Sequence, residues 1–233
     1  MDLITTNVPE WDSPDGVSSL SVETTGYYAV QAPERGVDGG TRILCALHGW
    51  GQNSRSFLRR FSVLKTENIL VVAPQAPHQF YLDLETRKVG FSWLTVYDRN
   101  RAMTGIYGLL DGVLGRVCEE YNIAGAPFML GFSQGVSIAY RYGVLGGRPV
   151  RGYIACGGDL PVDVRTPMES MSSVNTLLVH GLEDGIVPIA KAFEAQGILG
   201  AQTGDLKTCF FEGGHEMPTE IVGRIGEWVL EQP

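Results

Sequence analysis

The chain has 233 residues, of which 44% are hydrophobic and 19% are charged, and its formal net charge is −8. This length suits one globular domain with a sizeable core. The acidic balance argues against nucleic acid as a partner and against electrostatic docking on anionic lipid, because both need a basic surface. The sequence contains neither a run of 18 apolar residues nor a signal-peptide pattern. We therefore expect no integral membrane segment and a cytoplasmic location.

The four cysteines are spread along the chain and form no close pair: Cys45, Cys118, Cys156 and Cys209. Three fall in strand-like runs and one in a helical run, which is typical of buried free thiols. The sequence shows neither metal-ligand spacing nor a glycine-rich phosphate motif after a strand. We therefore expect no metal and no nucleotide cofactor.

Apolar runs typical of strands alternate with helical patterns along the chain. A lead-in rich in Ser, Thr, Asp and Pro covers 1–25, and strands are then predicted at 27–32, 42–47, 68–73, 127–131, 150–156, 174–180 and 207–211. Helices are predicted at 54–63, 104–122, 134–146, 188–199 and 217–231. This alternation favours an α/β fold, a mostly parallel central sheet with helices on both faces. We predict a single domain over 1–233 without a separate cap domain.

The connection at 74–103 is too long for a plain crossover in a compact domain. It carries several aromatic side chains, among them Phe80 and Trp93, and it begins at the end of a core strand. We interpret it as a small lid or a wall of an acyl pocket. The alternative is a satellite hydrophobic cluster under a long loop.

Residues 131–135 read GFSQG and fit the pattern G-x-S-x-G between a predicted strand and a predicted helix. Glycines two residues before and after the serine let such a turn close tightly. The turn lifts the Ser133 hydroxyl clear of the sheet edge, near the N-terminus of the next helix. Ser133 is therefore a candidate nucleophile, and the alternative is an ordinary glycine-rich turn.

A serine hydroxyl needs a general base, normally a histidine oriented by a carboxylate. In the α/β-hydrolase architecture these residues follow the serine in the order acid, then histidine. Asp184 and His215 lie after the last two predicted strands in this order, and Glu183 is a rival acid. His48 and His180 each precede a glycine at a strand end. For these two we predict hydrogen bonds that hold neighbouring loops.

An oxyanion hole requires backbone N–H groups that point at the developing negative charge. One donor is expected from the residue after the nucleophile, which is Gln134. The second is expected from the loop after an early core strand, here the loop that follows 42–47. Glycines at 49 and 51 free that backbone to approach the substrate, and the N–H of Trp50 is the natural donor.

Four segments resemble the phospholipase/carboxylesterase family of α/β-hydrolases: LHGWG at 47–51, GFSQG at 131–135, HGLEDGIVP at 180–188 and GGHE at 213–216. The segment APQAP at 73–77, with Ser-Trp at 92–93, is also similar to that family. The family includes acyl-protein thioesterases and small bacterial carboxylesterases. The segments occur in the family's order and span most of the chain.

The resemblance implies an α/β-hydrolase fold with Ser133 as nucleophile, Asp184 as acid and His215 as base. It also implies Trp50 and Gln134 as the backbone donors of the oxyanion hole. Family members are often dimers, so a homodimer is open.

Two residues depart from the family pattern and bear on the pocket walls. Val136 stands where a second glycine is usual after the serine turn, and Trp50 stands where an aliphatic residue is usual. Both leave the chemistry in place and bear on the acyl-chain preference. The candidate residues of the substrate pocket are Gln52, Phe80, Trp93 and Val187.

The sequence therefore predicts a serine carboxylesterase that acts on small-molecule esters or thioesters with short to medium acyl chains. One alternative is an acyl-protein thioesterase or lysophospholipase acting on long chains. Another is a lactone hydrolase similar to dienelactone hydrolase. A non-catalytic ligand-binding protein on a hydrolase scaffold is disfavoured, because all three triad residues are present.

Overall fold

The described residues of the computed structural model, 16–167, 174–202 and 205–233, contain nine strands and six α-helices. The strands are β1 (Tyr28–Gln31), β2 (Arg42–Leu47), β3 (Ile69–Pro74), β4 (His78–Asp83), β5 (Lys88–Ser92), β6 (Phe128–Phe132), β7 (Gly152–Cys156), β8 (Asn175–Gly181) and β9 (Leu206–Phe211). The helices are α1 (Ser54–Leu58), continued by a 3-10 segment (Arg59–Thr66), α2 (Arg99–Tyr121), α3 (Gln134–Val144), α4 (Val162–Arg165), α5 (Ile189–Gln202) and α6 (Thr219–Glu231).

Seven of these strands form one sheet in the order β1-β3-β2-β6-β7-β8-β9. Only β1 is antiparallel to its neighbour, which confirms the predicted mostly parallel sheet among the described residues. In the register, Leu47 at the end of β2 lies beside Gly131, and Phe132 at the end of β6 lies beside Cys156. The carboxyl ends of β2, β6, β7, β8 and β9 therefore share one edge, and the loops that leave it carry the candidate site residues.

Helices cover the sheet on both faces. Alternate residues of β2 illustrate this, because Cys45 packs with the α2, α3 and α5 side while Leu44 packs with α1 and α6. Every apolar residue of the central strands is buried, which explains their continuous hydrophobic runs. The seven predicted core strands are all present, with ends shifted by one or two residues.

Helix α2 begins at Arg99, five residues before the predicted start. Its first turn is polar, so the apolar periodicity that predicted the helix does not reach it. Arg99 is held by an ion pair with Asp163 of α4 at 2.6 Å, and the same carboxylate binds Arg141 of α3. Tertiary contacts thus anchor a turn that the apolar pattern did not indicate. The short helix α4 was not predicted either.

The connection at 74–103 contains a β-hairpin, which the sequence analysis did not predict. Strands β4 and β5 pair antiparallel, and Asp83 closes the turn by accepting the N–H groups of Glu85 and Thr86. Arg87 takes a positive φ of 54° in this turn. Glycine or asparagine normally occupies such positions, so the usual sequence signal for a hairpin is missing.

The predicted lead-in at 1–25 is described only from residue 16 onward. Residues 16–26 are exposed and contain neither helix nor strand. The rest of the lead-in lies outside the described residues. The division of the chain into a single domain stays a prediction.

Candidate active site

Ser133 lies on a tight turn between β6 and α3, as the G-x-S-x-G pattern predicted. Its backbone has φ 54° and ψ −118°, a conformation that non-glycine residues rarely adopt. A methyl group on Gly135 would overlap the carbonyl of Leu47, and one on Gly131 would overlap the N–H of Val136. The two glycines therefore permit the close approach of backbones that this turn needs.

Asp184 and His215 are joined by a short hydrogen bond at the same edge of the sheet. Nδ1 of His215 lies 2.7 Å from Oδ2 of Asp184, whose side chain is only 1% exposed. A carboxylate oxygen can only accept, so Nδ1–H of His215 donates. This arrangement leaves Nε2 of the ring free to accept a proton, while the half-buried ring keeps 18% of its surface exposed.

The second carboxylate oxygen of Asp184 accepts the backbone N–H groups of Ile186 and Val187 at 2.8 Å each. Burial alone would raise the pKa of Asp184, but these two bonds and the His215 ring outweigh it and lower the pKa below its usual value. Asp184 is therefore ionised near neutral pH. The rival acid Glu183 is exposed, and its backbone N–H binds the carbonyl of Gly213.

The ring of His215 reaches the serine turn through Phe132, the residue before Ser133. The two rings have their centroids 5.0 Å apart at a tilt of 37°. The N–H of Ser133 donates to the carbonyl of Cys156 at 2.9 Å, which fixes the turn against the end of β7. The structure thus places Ser133, Asp184 and His215 at the carboxyl ends of β6, β8 and β9, on one edge of the sheet.

The loop after β2 runs past Ser133 and presents the N–H of Trp50. A methyl group on Gly49 would lie 3.2 Å from Cβ of Ser133. Gly49, Gly51 and Gln52 each donate their N–H to another residue. Within the described parts of the chain, the N–H of Trp50 has no protein acceptor, and the same is true of Gln134. Both groups are available to a ligand oxygen beside Ser133.

The candidate pocket residues divide into two groups. Phe80 of the hairpin stacks on Trp50, which is 60% exposed, with ring centroids 4.9 Å apart, and Val187 is half-buried in the Asp184 loop. Trp93 is 0% exposed, so its prediction as a pocket residue is wrong. The side chain of Gln52 accepts the N–H of Gly49, so it holds the loop.

The buried indole of Trp93 donates its N–H to the carbonyl of His48, in the loop after β2, at 2.8 Å. Its neighbour in sequence, Ser92, ends a strand of the hairpin, and the prediction did not include that hairpin. Trp93 was predicted to line the pocket because it is one of several aromatic residues in the long connection at 74–103. The hairpin instead turns the ring inward.

Two histidines hold loops as predicted. Nδ1 of His48 contacts the carbonyl of Gly49 at 2.8 Å, and Nε2 of His180 contacts the carbonyl of Val187 at 2.8 Å. Nε2 of His180 also lies 3.5 Å from Oδ2 of Asp184. The buried ring of His180 therefore packs against the carboxylate of Asp184.

Sequence reasoning missed the supporting role of the APQAP segment. The side chain of Gln75 accepts the N–H of Ser54, and both Gln75 and Ala76 contact Nε2 of His48. The segment matched the family, but the match alone named no partner for these residues.

The departure at Val136 is accommodated beside Gly158, where a methyl group would overlap the valine side chain.

The described residues contain no group of three or more His, Cys, Asp or Glu residues that could hold a metal ion. All four cysteines are free, and burial raises the pKa of Cys45 and Cys156. Among the helices in the described ranges, none combines the length and the apolar character needed to cross a bilayer.

The sheet order and the strained Ser133 turn place the chain in the α/β-hydrolase class, which confirms the predicted fold. Within this class it belongs to the phospholipase/carboxylesterase family, whose family model matches residues 26–230. The resemblance seen in the sequence motifs is thereby confirmed. The family comprises hydrolases of the esterase and thioesterase type. No curated protein matches the chain by sequence.

Solved structures of three hydrolases share this fold. Esterase PE8 is 23% identical with a TM-score of 0.69, over 91% of this chain and 100% of that chain. The carboxylesterase of Bacillus cereus is 18% identical with a TM-score of 0.66, over 88% and 93% of the two chains. Acyl-protein thioesterase 2 of Zea mays is 17% identical with a TM-score of 0.64, over 88% and 98%.

Proposed function

We propose that this protein is a serine hydrolase that cleaves carboxylic esters through a triad of Ser133, His215 and Asp184. The proposal rests on the short bond from His215 to the buried, ionised Asp184, at the same edge of the sheet as the strained Ser133. An ordinary glycine-rich turn would need neither the strain nor the oriented imidazole.

The proposed reaction uses the groups of the site that have no hydrogen-bond partner among the described residues. Nε2 of His215 takes the hydroxyl proton of Ser133 as Oγ attacks the acyl carbonyl. The N–H groups of Trp50 and Gln134 stabilise the oxyanion that develops. His215 then protonates the leaving alcohol, and an acyl-enzyme remains on Ser133. Water attacks this ester with His215 again as base and releases the acid.

Asp184 keeps the imidazole of His215 in the tautomer that the reaction needs. It also stabilises the imidazolium that forms when the proton is transferred. Because hydrogen bonds hold the pKa of Asp184 below its usual value, the acid stays ionised as the imidazole becomes charged. A neutral amide at this position would accept the same bond but would supply no charge.

We propose short to medium acyl chains as the preferred substrates. The support is the stack of Trp50 on Phe80, two rigid rings beside the loop that touches Ser133. Thioesters require the same groups and differ only in the leaving atom.

A cytoplasmic location suits the four free thiols. A homodimer also stays a prediction, which light scattering of the purified protein tests.

A fluorophosphonate probe tests the proposed nucleophile, because it labels only an activated serine. We expect one adduct, located on Ser133 by peptide mass spectrometry, and no adduct in Ser133→Ala. Asp184→Asn should label and turn over about 10³- to 10⁴-fold more slowly, because it keeps the shape of the acid and removes its charge.

The matched control is Glu183→Gln, the same kind of change at the neighbouring exposed residue. It should label at the wild-type rate. Fast labelling of Asp184→Asn together with slow labelling of Glu183→Gln would show that the acid is misassigned. Labelling at a residue other than Ser133 would overturn the nucleophile.

A further inference from the structure

Most peptide groups of the loop from His48 to Gln52 form hydrogen bonds with side chains or with other segments of the chain. Trp93 donates its indole N–H to the carbonyl of His48, and the N–H of Gly49 donates to the side chain of Gln52. The N–H of Gly51 donates to the carbonyl of Phe91 in β5 at 2.8 Å. The N–H of Trp50 is the exception, since no described residue accepts it. The loop is thus built around one free donor.

The carbonyl of Gly49 has two hydrogen-bond partners. It lies 2.8 Å from Nδ1 of His48, and it accepts the N–H of Gln52 at 3.2 Å. Gly49 C=O and Trp50 N–H belong to the same planar trans peptide, so they point in opposite directions. Whatever fixes that carbonyl therefore also fixes the direction of the Trp50 N–H.

The surroundings of His48 set which of its ring nitrogens carries the proton. The ring is 0% exposed, and the backbone N–H of Ala76 donates to Nε2 at 3.2 Å. The side-chain amide of Gln75 lies 3.2 Å from the same atom. Since Nε2 accepts, the neutral ring carries its hydrogen on Nδ1 and donates it to Gly49.

We propose that His48 is a positioning residue of the oxyanion hole, which orients the Trp50 N–H through the Gly49–Trp50 peptide plane. The inference rests on the proposed function, because it concerns the same oxyanion. A preorganised donor stabilises the tetrahedral intermediate without a reorganisation step, whereas a peptide free to rotate must be ordered in each turnover.

The same network links the two oxyanion donors to each other. The side chain of Gln134 accepts the N–H of Trp93 at 2.9 Å and donates to the carbonyl of Leu94 at 2.9 Å. Trp93 in turn donates to the carbonyl of His48. Gln134 thus supplies one donor with its backbone and, with its side chain, holds Trp93, which binds the loop that supplies the other donor. This connection fixes the separation of the two N–H groups.

The pair His48→Asn and His48→Leu tests this role with side chains of nearly equal shape. The amide nitrogen of Asn occupies the place of Nδ1 and keeps the donor to Gly49, whereas Leu has none. Both lose Nε2, so both leave the N–H of Ala76 without its partner. We expect His48→Leu to lower kcat on p-nitrophenyl esters about 10- to 100-fold with little change in KM. His48→Asn should stay within about threefold of the wild-type kcat.

Binding of a trifluoromethyl ketone distinguishes positioning of the oxyanion donor from a general loss of structure. The ketone binds Ser133 as a tetrahedral oxyanion, while the corresponding alcohol does not. His48→Leu should weaken the ketone about as much as it lowers kcat and should leave binding of the alcohol unchanged. Val222→Ala in the α6 core is the control for stability: it should lower Tm and leave both affinities as in the wild type.

Equal kcat values for His48→Leu and His48→Asn would overturn the proposal, as would equal losses of ketone and alcohol binding. If His48→Leu does not fold, His48→Met replaces it, because its longer side chain fills more of the space of the ring and also lacks a donor to the carbonyl of Gly49. It should show the same selective loss of ketone binding, and wild-type ketone binding would contradict the proposal. Ester turnover that persists in Ser133→Ala would instead remove the proposed function.

Discussion

The candidate site residues that the sequence could indicate are those in a local pattern. Ser133 lies in a motif whose glycines are required by backbone contact, and Asp184 and His215 follow strands in a fixed chain order. Trp93 could not be placed, because its burial depends on contacts with His48 and Gln134, which are distant in sequence. Nothing in the residues around Trp93 indicates these partners.

Buried His48 makes the stability of the protein depend on pH. Burial lowers the pKa of His48 from its ordinary value of 6.5 to about 4, although the bond to Gly49 acts in the opposite direction. The rings that contact it belong to the uncharged residues Phe57 and Trp93. The unfolded chain therefore binds this proton more readily than the folded chain between these two values, and stability falls as the pH falls through that window.

We expect the free energy of unfolding to fall by about 1.4 kcal/mol per pH unit from this group, and by about 3 kcal/mol over the whole window. Urea unfolding of the wild type and of His48→Asn between pH 7 and pH 4 measures the difference, since Asn does not titrate. Parallel pH curves for the two proteins would show that His48 does not carry this dependence.

The least predictable element is the β4–β5 hairpin, and the loop after β2 depends on it. The bond from Gly51 to Phe91 fixes the hairpin to the loop, and Leu82 packs over Gly51. The sequence left open whether 74–103 is a lid or a fixed wall of the acyl pocket. The contacts favour a fixed support, which the sequence could not show because the hairpin turn lacks its usual residues.

Gly90 tests this support, because a methyl group there would lie 2.6 Å from Leu82 and 2.8 Å from the carbonyl oxygen of Gly51. We expect Gly90→Ala to displace the loop and to lower kcat about tenfold. Hydrogen exchange at the Gly51 amide should quicken in the same variant. The control is Val89→Ala, an exposed neighbour, which should leave both unchanged. Unaltered kcat and exchange in Gly90→Ala would mean that the hairpin is not a support.

At the scale of the whole molecule, the sheet assembles a site from residues that are far apart in the chain. Trp50 follows β2, Ser133 follows β6, and Asp184 and His215 follow β8 and β9. The parallel register alone brings these strand ends to one edge. Sequence could predict the class of fold from the alternation of strands and helices. The strand order and the contacts among the loops needed the three-dimensional structure, because they join distant segments.

The role of Ser133 as nucleophile can be tested by measuring kcat/KM for p-nitrophenyl esters from C2 to C16 with the wild type and with Ser133→Ala. We predict turnover that peaks on short to medium chains and falls by several orders of magnitude in the variant, because the hydroxyl of Ser133 forms the acyl-enzyme. A peak on long chains would contradict the proposed acyl preference. Turnover in Ser133→Ala equal to that of the wild type would contradict the central claim.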